Sequence, residues 1–180
     1  MSQMSLGKRV AAVLTGAFLI VAVPFVALAQ SGEWIADQRT GCKVWNANPA
    51  PDESITWSGA CAKGLAQGKG VLQWYRAGRR GSTFTGEYRD GHATGRGVSV
   101  FPTGTSYDGE YRASLPNGRG VMIWSNGDRY EGQWRNGRAH GTGTYQRGSQ
   151  VYQGTWSDGC FNQGGRRAGV GVDPEECFAR

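Results

Sequence analysis

Between Thr56 and Gly165 the hydrophobic and polar residues alternate in short bursts and lack the three-to-four spacing of an amphipathic helix. In Tyr130-Glu131-Gly132-Gln133-Trp134, an extended strand puts Tyr, Gly and Trp on one face and Glu and Gln on the other. Thr85/Glu87, Asp108/Glu110 and Gln153/Thr155 repeat the polar side. Asp90-Gly91, Asn136-Gly137 and Asp158-Gly159 follow such strands, and Asn-Gly and Asp-Gly are strong hairpin-turn signals. A second strand then begins at paired glycines, Gly95-x-Gly97, Gly118-x-Gly120 and Gly141-x-Gly143. Along it Leu72/Trp74, Ser99/Phe101 and Met122/Trp124 fall on the glycine face. The predicted unit is a β-hairpin with one aromatic and one polar face.

The unit recurs. From Gly132, glycines follow at offsets of 5, 9 and 11, and the same offsets from Gly59, Gly86, Gly109 and Gly154 meet glycine except at Ser114 and Gln163. The aromatics hold the same register. Two residues before each anchor stand Trp57, Phe84, Tyr107, Tyr130 and Tyr152; two residues after it stand Cys61, Tyr88, Tyr111, Trp134 and Trp156. Anchors lie 27, 23, 23 and 22 residues apart, so each unit is one small supersecondary element.

This pattern resembles the MORN (membrane occupation and recognition nexus) repeat, whose core reads Y-x-G-x-W followed by G-x-x-x-G-x-G. The resemblance covers five units between residues 56 and 165, with Cys61 in an aromatic slot of the first and Gln163 in a glycine slot of the last. It implies an all-β fold: a single-layer, elongated, twisted antiparallel sheet of consecutive hairpins. It also implies membrane association, protein–protein interaction or phospholipid contact, with no shared catalytic residue.

One hairpin cannot bury its own aromatic face, so stacked neighbours must do it and the ends need caps. Residues 30–55 read as an irregular N-terminal lead and cap, and residues 166–180 as a C-terminal cap. Asp173-Pro174-Glu175-Glu176 has a helix-start pattern, with Asp as N-cap and Pro at the first position. The four cysteines, Cys42, Cys61, Cys160 and Cys177, are even in number and admit three pairings. Cys42–Cys61 and Cys160–Cys177 are favoured because each pair lies at one end of the repeats. Loops of that length contribute on the order of 3 kcal/mol when closed.

Residues 1–29 stand apart. Lys8-Arg9 precedes an apolar run broken by Pro24, and Ala27-Leu28-Ala29 supplies small residues, which is the order of a secretory signal peptide. Cleavage is expected after Ala29, with export to a bacterial periplasm; the alternative is an inner-membrane anchor formed by residues 10–29. Loss of Lys8 and Arg9 takes the formal charge from +6 to +4. That charge alternates in sign along the chain, so it offers no block for nucleic acid and only a weak pull toward acidic surfaces.

The repeat accounts for the glycines without a phosphate loop, because G-x-G-x-x-G is absent and Gly68-Lys69-Gly70 lacks the rest of a P-loop. Glu87, Asp108, Glu110 and Glu131 occupy equivalent polar positions, unlike the two distinct acids of a glycosidase. His92 and His140 sit near turns with no Ser or Cys placed as nucleophile. No catalytic residue, metal ligand or cofactor is expected. Arg96 and Arg119, with Lys69 and Thr142 in equivalent slots, are expected to form a ladder opposite the aromatics, and Arg89, Arg112 and Arg135 a second series. The expected function is non-catalytic binding or scaffolding at the cell envelope, toward an envelope protein, an anionic lipid headgroup or a polysaccharide. The alternative is a small envelope hydrolase using the loop carboxylates. An uncovered sheet edge would also allow self-association.

Overall fold

A computed structural model describes residues 32–177; the expected signal peptide lies outside the described residues. The N-terminal part holds β1 (Glu33–Ala36), β2 (Lys43–Asn46), β3 (Glu53–Trp57) and β4 (Ala60–Ala62). The central hairpins are built from β5 (Leu65–Arg76), β6 (Arg79–Arg89), β7 (His92–Val100), β8 (Ser106–Arg112), β9 (Leu115–Ile123), β10 (Arg129–Arg135), β11 (Arg138–Arg147) and β12 (Gln150–Ser157). β13 (Cys160–Gln163), β14 (Arg166–Gly169) and a 3-10 turn at Pro174–Cys177 close the described chain. From β5 to β14 every strand pairs antiparallel with the next, giving one open sheet of consecutive hairpins.

The anchor glycines line up across this sheet. Gly70 pairs with Gly86, Gly86 with Gly97, Gly97 with Gly109, and the series continues through Gly120, Gly132 and Gly143 to Gly154. On one side the first aromatic ring of each unit lies flat over this row. A Cβ at Gly97 would overlap Phe84, one at Gly120 would overlap Tyr107, and one at Gly143 would overlap Tyr130. Glycine is required there for space, since those three are not among the positive-φ residues.

The rings then interlock from unit to unit. Trp57 meets Tyr88, Tyr88 meets Phe84, Phe84 meets Tyr111, and the zigzag runs on through Tyr107, Trp134, Tyr130 and Trp156 with centroids 4.9 to 5.4 Å apart. Nearly all of these contacts are edge-to-face, a geometry worth about 0.5–1.5 kcal/mol per pair beyond area burial. Polar ring atoms are satisfied within the motif. The Tyr107 and Tyr130 hydroxyls and the Trp57 indole N–H each donate to the carbonyl three residues on, that of Glu110, Gln133 and Ala60. Trp134 and Trp156 donate to the carbonyls of Gly120 and Gly143.

Each hairpin bends just beyond the glycine row. Between Gly132 and Trp134 the partner strand passes from Gly143 to Ala139, so four steps of β11 answer two of β10. The first glycine of each G-x-G pair takes up the bulge at positive φ, 62° at Gly95, 103° at Gly118 and 64° at Gly141. The short limb past the bulge ends in a two-residue turn with both φ positive, as at Asp90-Gly91, Asn136-Gly137 and Asp158-Gly159. Its alanines, Ala66, Ala93 and Ala139, are buried in the aromatic core. The turns also stack. Gly91 N–H donates to Ala66 O, Ser114 to Ala93, Gly137 to Pro116 and Gly159 to Ala139, at 2.8 to 3.0 Å.

Both expected disulfides are formed, Cys42–Cys61 and Cys160–Cys177. Two details differ from expectation. Residues 30–55 are not irregular throughout, because β1 and β2 form an antiparallel hairpin, Glu33–Ala36 against Lys43–Asn46. Alternation in Trp34-Ile35 and Val44-Trp45 is too short to stand out from sequence. Cys61 does not fill an inward aromatic slot; it is exposed on β4, and Cys42 supplies the buried sulfur. The reason is a break after Trp57: β3 pairs with the second half of β5 and β4 with its first. At the other end Asp173 caps as its position suggests, its Oδ1 accepting from Glu175 N–H at 2.9 Å above a short 3-10 turn.

Candidate functional site

The face opposite the rings carries two rows of side chains with the glycines between them. One row follows the register Lys69–Glu87, Arg96–Glu110 and Arg119–Gln133, then Thr142–Thr155. The other holds Thr85, Val98, Asp108, Val121, Glu131, Thr144 and Gln153. With no side chain between them, the glycine backbone floors a trough. It is about 620 Å³ over the hairpins that carry Arg96, Arg119 and Thr142, and about 540 Å³ over Lys69, Gly86 and Arg96. Arg96 lines both parts, which adjoin there along the face from β5 to β12.

The two arginine series lie in different places. Arg96 and Arg119 stand in the trough, exposed, and Arg96 reaches Asp108 at 3.7 Å. Arg89, Arg112 and Arg135 lie beyond the bulge, opposite His92, Leu115 and Arg138 next to the turns. Arg135 is engaged by Asp158 at 2.6 Å.

Some carboxylates and amides on this face have a structural task that spacing does not reveal. Glu110 Oε1 accepts from the backbone N–H of Arg119 at 3.0 Å, and Gln133 Oε1 accepts from Thr142 N–H at 2.8 Å. Each thereby satisfies a donor freed by the bulge, over Gly118 and Gly141 respectively. Glu131 is paired with Arg129 at 2.6 Å. These acids are spread over separate strands, and among the described residues no three His, Cys, Asp or Glu side chains gather as a metal-ligand set. His92 packs against Trp34 and Trp45, with centroids 5.5 and 6.2 Å away, and its Nδ1 and that of His140 are buried without a hydrogen-bond partner.

One fully buried carboxylate was not singled out in the sequence. Asp37 is inaccessible to solvent and accepts from Arg39 N–H and Nε, from Arg39 Nη2 and from Trp57 N–H at 2.8 to 3.2 Å. Burial pushes its pKa upward, but the Arg39 side chain, the two backbone donors and the Arg39 charge outweigh that and hold the carboxyl at about 2. It ties β1 to β3 and is a structural node. The phenols of the core behave oppositely. Burial raises Tyr88, Tyr107 and Tyr130 well above the usual phenol range, and Tyr111 and Tyr145 to about 12.

Among the described residues no helix is long and apolar enough to cross a membrane. The two disulfides agree with an oxidising compartment. None of the curated proteins matches the chain. The family model for the MORN repeat matches residues 62–76, 84–106, 107–129 and 130–150, four consecutive units on the glycine row. The unit anchored at Gly154 lies beyond these matches, yet its strand β12 extends the same row and packs Trp156 against Tyr130. MORN repeats are generally binding and scaffold modules and not catalysts. Sequence register, ring-over-glycine packing and hairpin order agree with that match: the chain is a MORN-repeat protein.

Proposed function

We propose that this protein is a non-catalytic binding module exported to the bacterial cell envelope, with its signal peptide removed after Ala29, and that the glycine-floored trough holds an extended envelope polysaccharide. The glycine-floored face, concave in two adjoining parts from β5 to β12, carries this reading. Lys69, Arg96 and Arg119 recur on every second strand, a period of about 9.5 Å at the usual strand spacing. A linear polymer with a disaccharide-sized repeat would meet one cation per repeat. Beyond Arg119 the cation row turns neutral, Gln133, Thr142 and Thr155, which suits hydroxyl groups. Alternating Glu87, Glu110, Asp108 and Glu131 keep the face near neutrality, which favours hydrogen bonding over bulk attraction.

The test is a pull-down of the purified protein with peptidoglycan, anionic vesicles and envelope protein fractions, each over a salt series. Replacing Lys69, Arg96 and Arg119 together by Gln is expected to weaken polysaccharide retention about tenfold without lowering thermal stability. Retention unchanged by the triple replacement would sink the trough as the binding surface. Capture by vesicles or by protein alone would replace the polysaccharide with that partner.

A further inference from the structure

The first interval between anchors is four residues longer than the second, 27 against 23. The extra length sits in the β5–β6 hairpin, whose turn Ala77-Gly78 has φ 47° and 72°. Arg76 faces Arg79 directly across this hairpin, and Tyr75 faces Arg80. Like charges directly opposite on antiparallel strands destabilise the pair. Another such pair, Arg135 opposite Arg138, is relieved by carboxylates, Asp158 at 2.6 Å and Glu176 at 3.9 Å. Among the described residues, Arg76, Arg79 and Arg80 form no ion pair. The nearest acid in register is Glu53, opposite Arg76 on β3. Its Oε2 already accepts from Asn46 Nδ2 at 2.7 Å and Ala50 N–H at 3.1 Å.

The hairpin tip is held in place. A bulge lies between Gln73 and Tyr75, and the buried Gln73 amide fills it. Its Nε2 donates to the carbonyls of Trp74, Ser82 and Gly81 at 2.7, 3.1 and 3.2 Å, while its Oε1 accepts from Thr83 Oγ1 at 2.8 Å. The tip and the neighbouring turn flank an open concavity of about 640 Å³ with aromatic walls, Trp74, Tyr75 and Phe101, a rim of Arg76, Arg79 and Arg80, and Glu53, held by Asn46 and Ala50, at its side. Phe101 is 39% exposed, a large apolar surface left open beside three guanidinium groups.

We infer that this concavity binds a phosphate ester carried on a flat or apolar body. A phosphate offers three strong acceptor oxygens and up to two charges, enough to face two guanidinium forks at once, whereas one carboxylate satisfies one fork. The ring walls take the body of the ligand, and the anion removes the repulsion between Arg76 and Arg79. This site is on different residues from the trough.

Purified protein titrated calorimetrically with phenyl phosphate, inorganic phosphate and phenol tests it, alongside vesicles containing phosphatidic acid, a lipid phosphate monoester, and vesicles of phosphatidylcholine alone. Phenyl phosphate is expected to saturate, to bind about tenfold tighter than inorganic phosphate, and to lose about tenfold in affinity in the Arg79→Gln/Arg80→Gln variant. The Lys69/Arg96/Arg119 variant should bind it normally, which separates this site from the polysaccharide reading. Phosphatidic acid binding lost in the Arg79/Arg80 variant assigns the phosphate to a lipid headgroup; phenyl phosphate binding without it assigns a soluble ester. Absence of both, or equal affinity in the variant, overturns the inference.

Discussion

The central hairpins and the N-terminal end are stabilised by opposite means. In the centre, from Phe84 to Trp156, buried rings sit on glycines and pass edge-to-face contacts from one unit to the next. Every role there is filled several times over. At the N-terminal end the packing hangs on single features, one buried carboxylate at Asp37 and one disulfide, Cys42–Cys61. Repetition therefore spreads the stability of the centre over many equal contacts, while the end concentrates it in a few polar ones. The two regions should yield to opposite insults.

High pH should break the centre, with the largest effect. The phenols of Tyr88, Tyr107, Tyr111, Tyr130 and Tyr145 all titrate above their unfolded value near 10. A raised phenol pKa means the folded state holds its proton longer, so stability is complete below pH 10 and lost as pH climbs toward 12 and beyond. Burial opposes ionisation at all five positions of one interlocked core, so unfolding and phenolate absorbance should rise in one cooperative step. Separate titration of the tyrosines before unfolding would contradict the buried-ring core.

Gly143→Ala comes next. Its Cβ would overlap the Tyr130 ring and hydroxyl, for a loss of about 3 kcal/mol in urea denaturation. Asp37→Ala strands the N–H groups of Arg39 and Trp57 and should cost about 2–3 kcal/mol. The cost should stay local: hydrogen exchange speeds at Trp57 and Lys43 while amides around Tyr130 keep their protection. Uniform loss across the sheet would erase the contrast between end and centre. Acid probes the same node more gently. A carboxyl held at about 2, against an unfolded value of 3.8, contributes stability that is present above pH 4 and lost as pH falls toward 2. The smallest effect sharpens the centre. Ala113 and Ser114 occupy a turn with φ 49° and 66°, where the next unit has Asn136-Gly137. Ala113→Asn should raise stability by about 0.5–1 kcal/mol, read as a shift in the urea midpoint.

That turn also shows how far sequence could be read. Glycine offsets and the alternation around Gly132 revealed hairpins, faces and unit order, because they depend on neighbours in the chain. Ser114 breaks the offset yet the turn is unchanged: its N–H donates to Ala93 O and its Oγ accepts from Ala93 N–H, so the preceding unit imposes the conformation. Asp37 was illegible because its decisive partner, Trp57 N–H, is 20 residues away. Arg96 and Arg135 belong to two series of periodic cations, and the bulge puts the first in the trough and the second beside the turns. Arg76, Arg79 and Arg80 drew no notice because the repeat ruler skips the four residues that break it.

The stacked turns bear on how the chain is assembled. Each turn hydrogen-bonds to the limb of the hairpin before it, Gly137 to Pro116 and Gly159 to Ala139. The acceptor thus emerges from a ribosome or translocon before its donor does. From β6 onward, a chain delivered N-terminus first can lay down one hairpin at a time on the turn already formed.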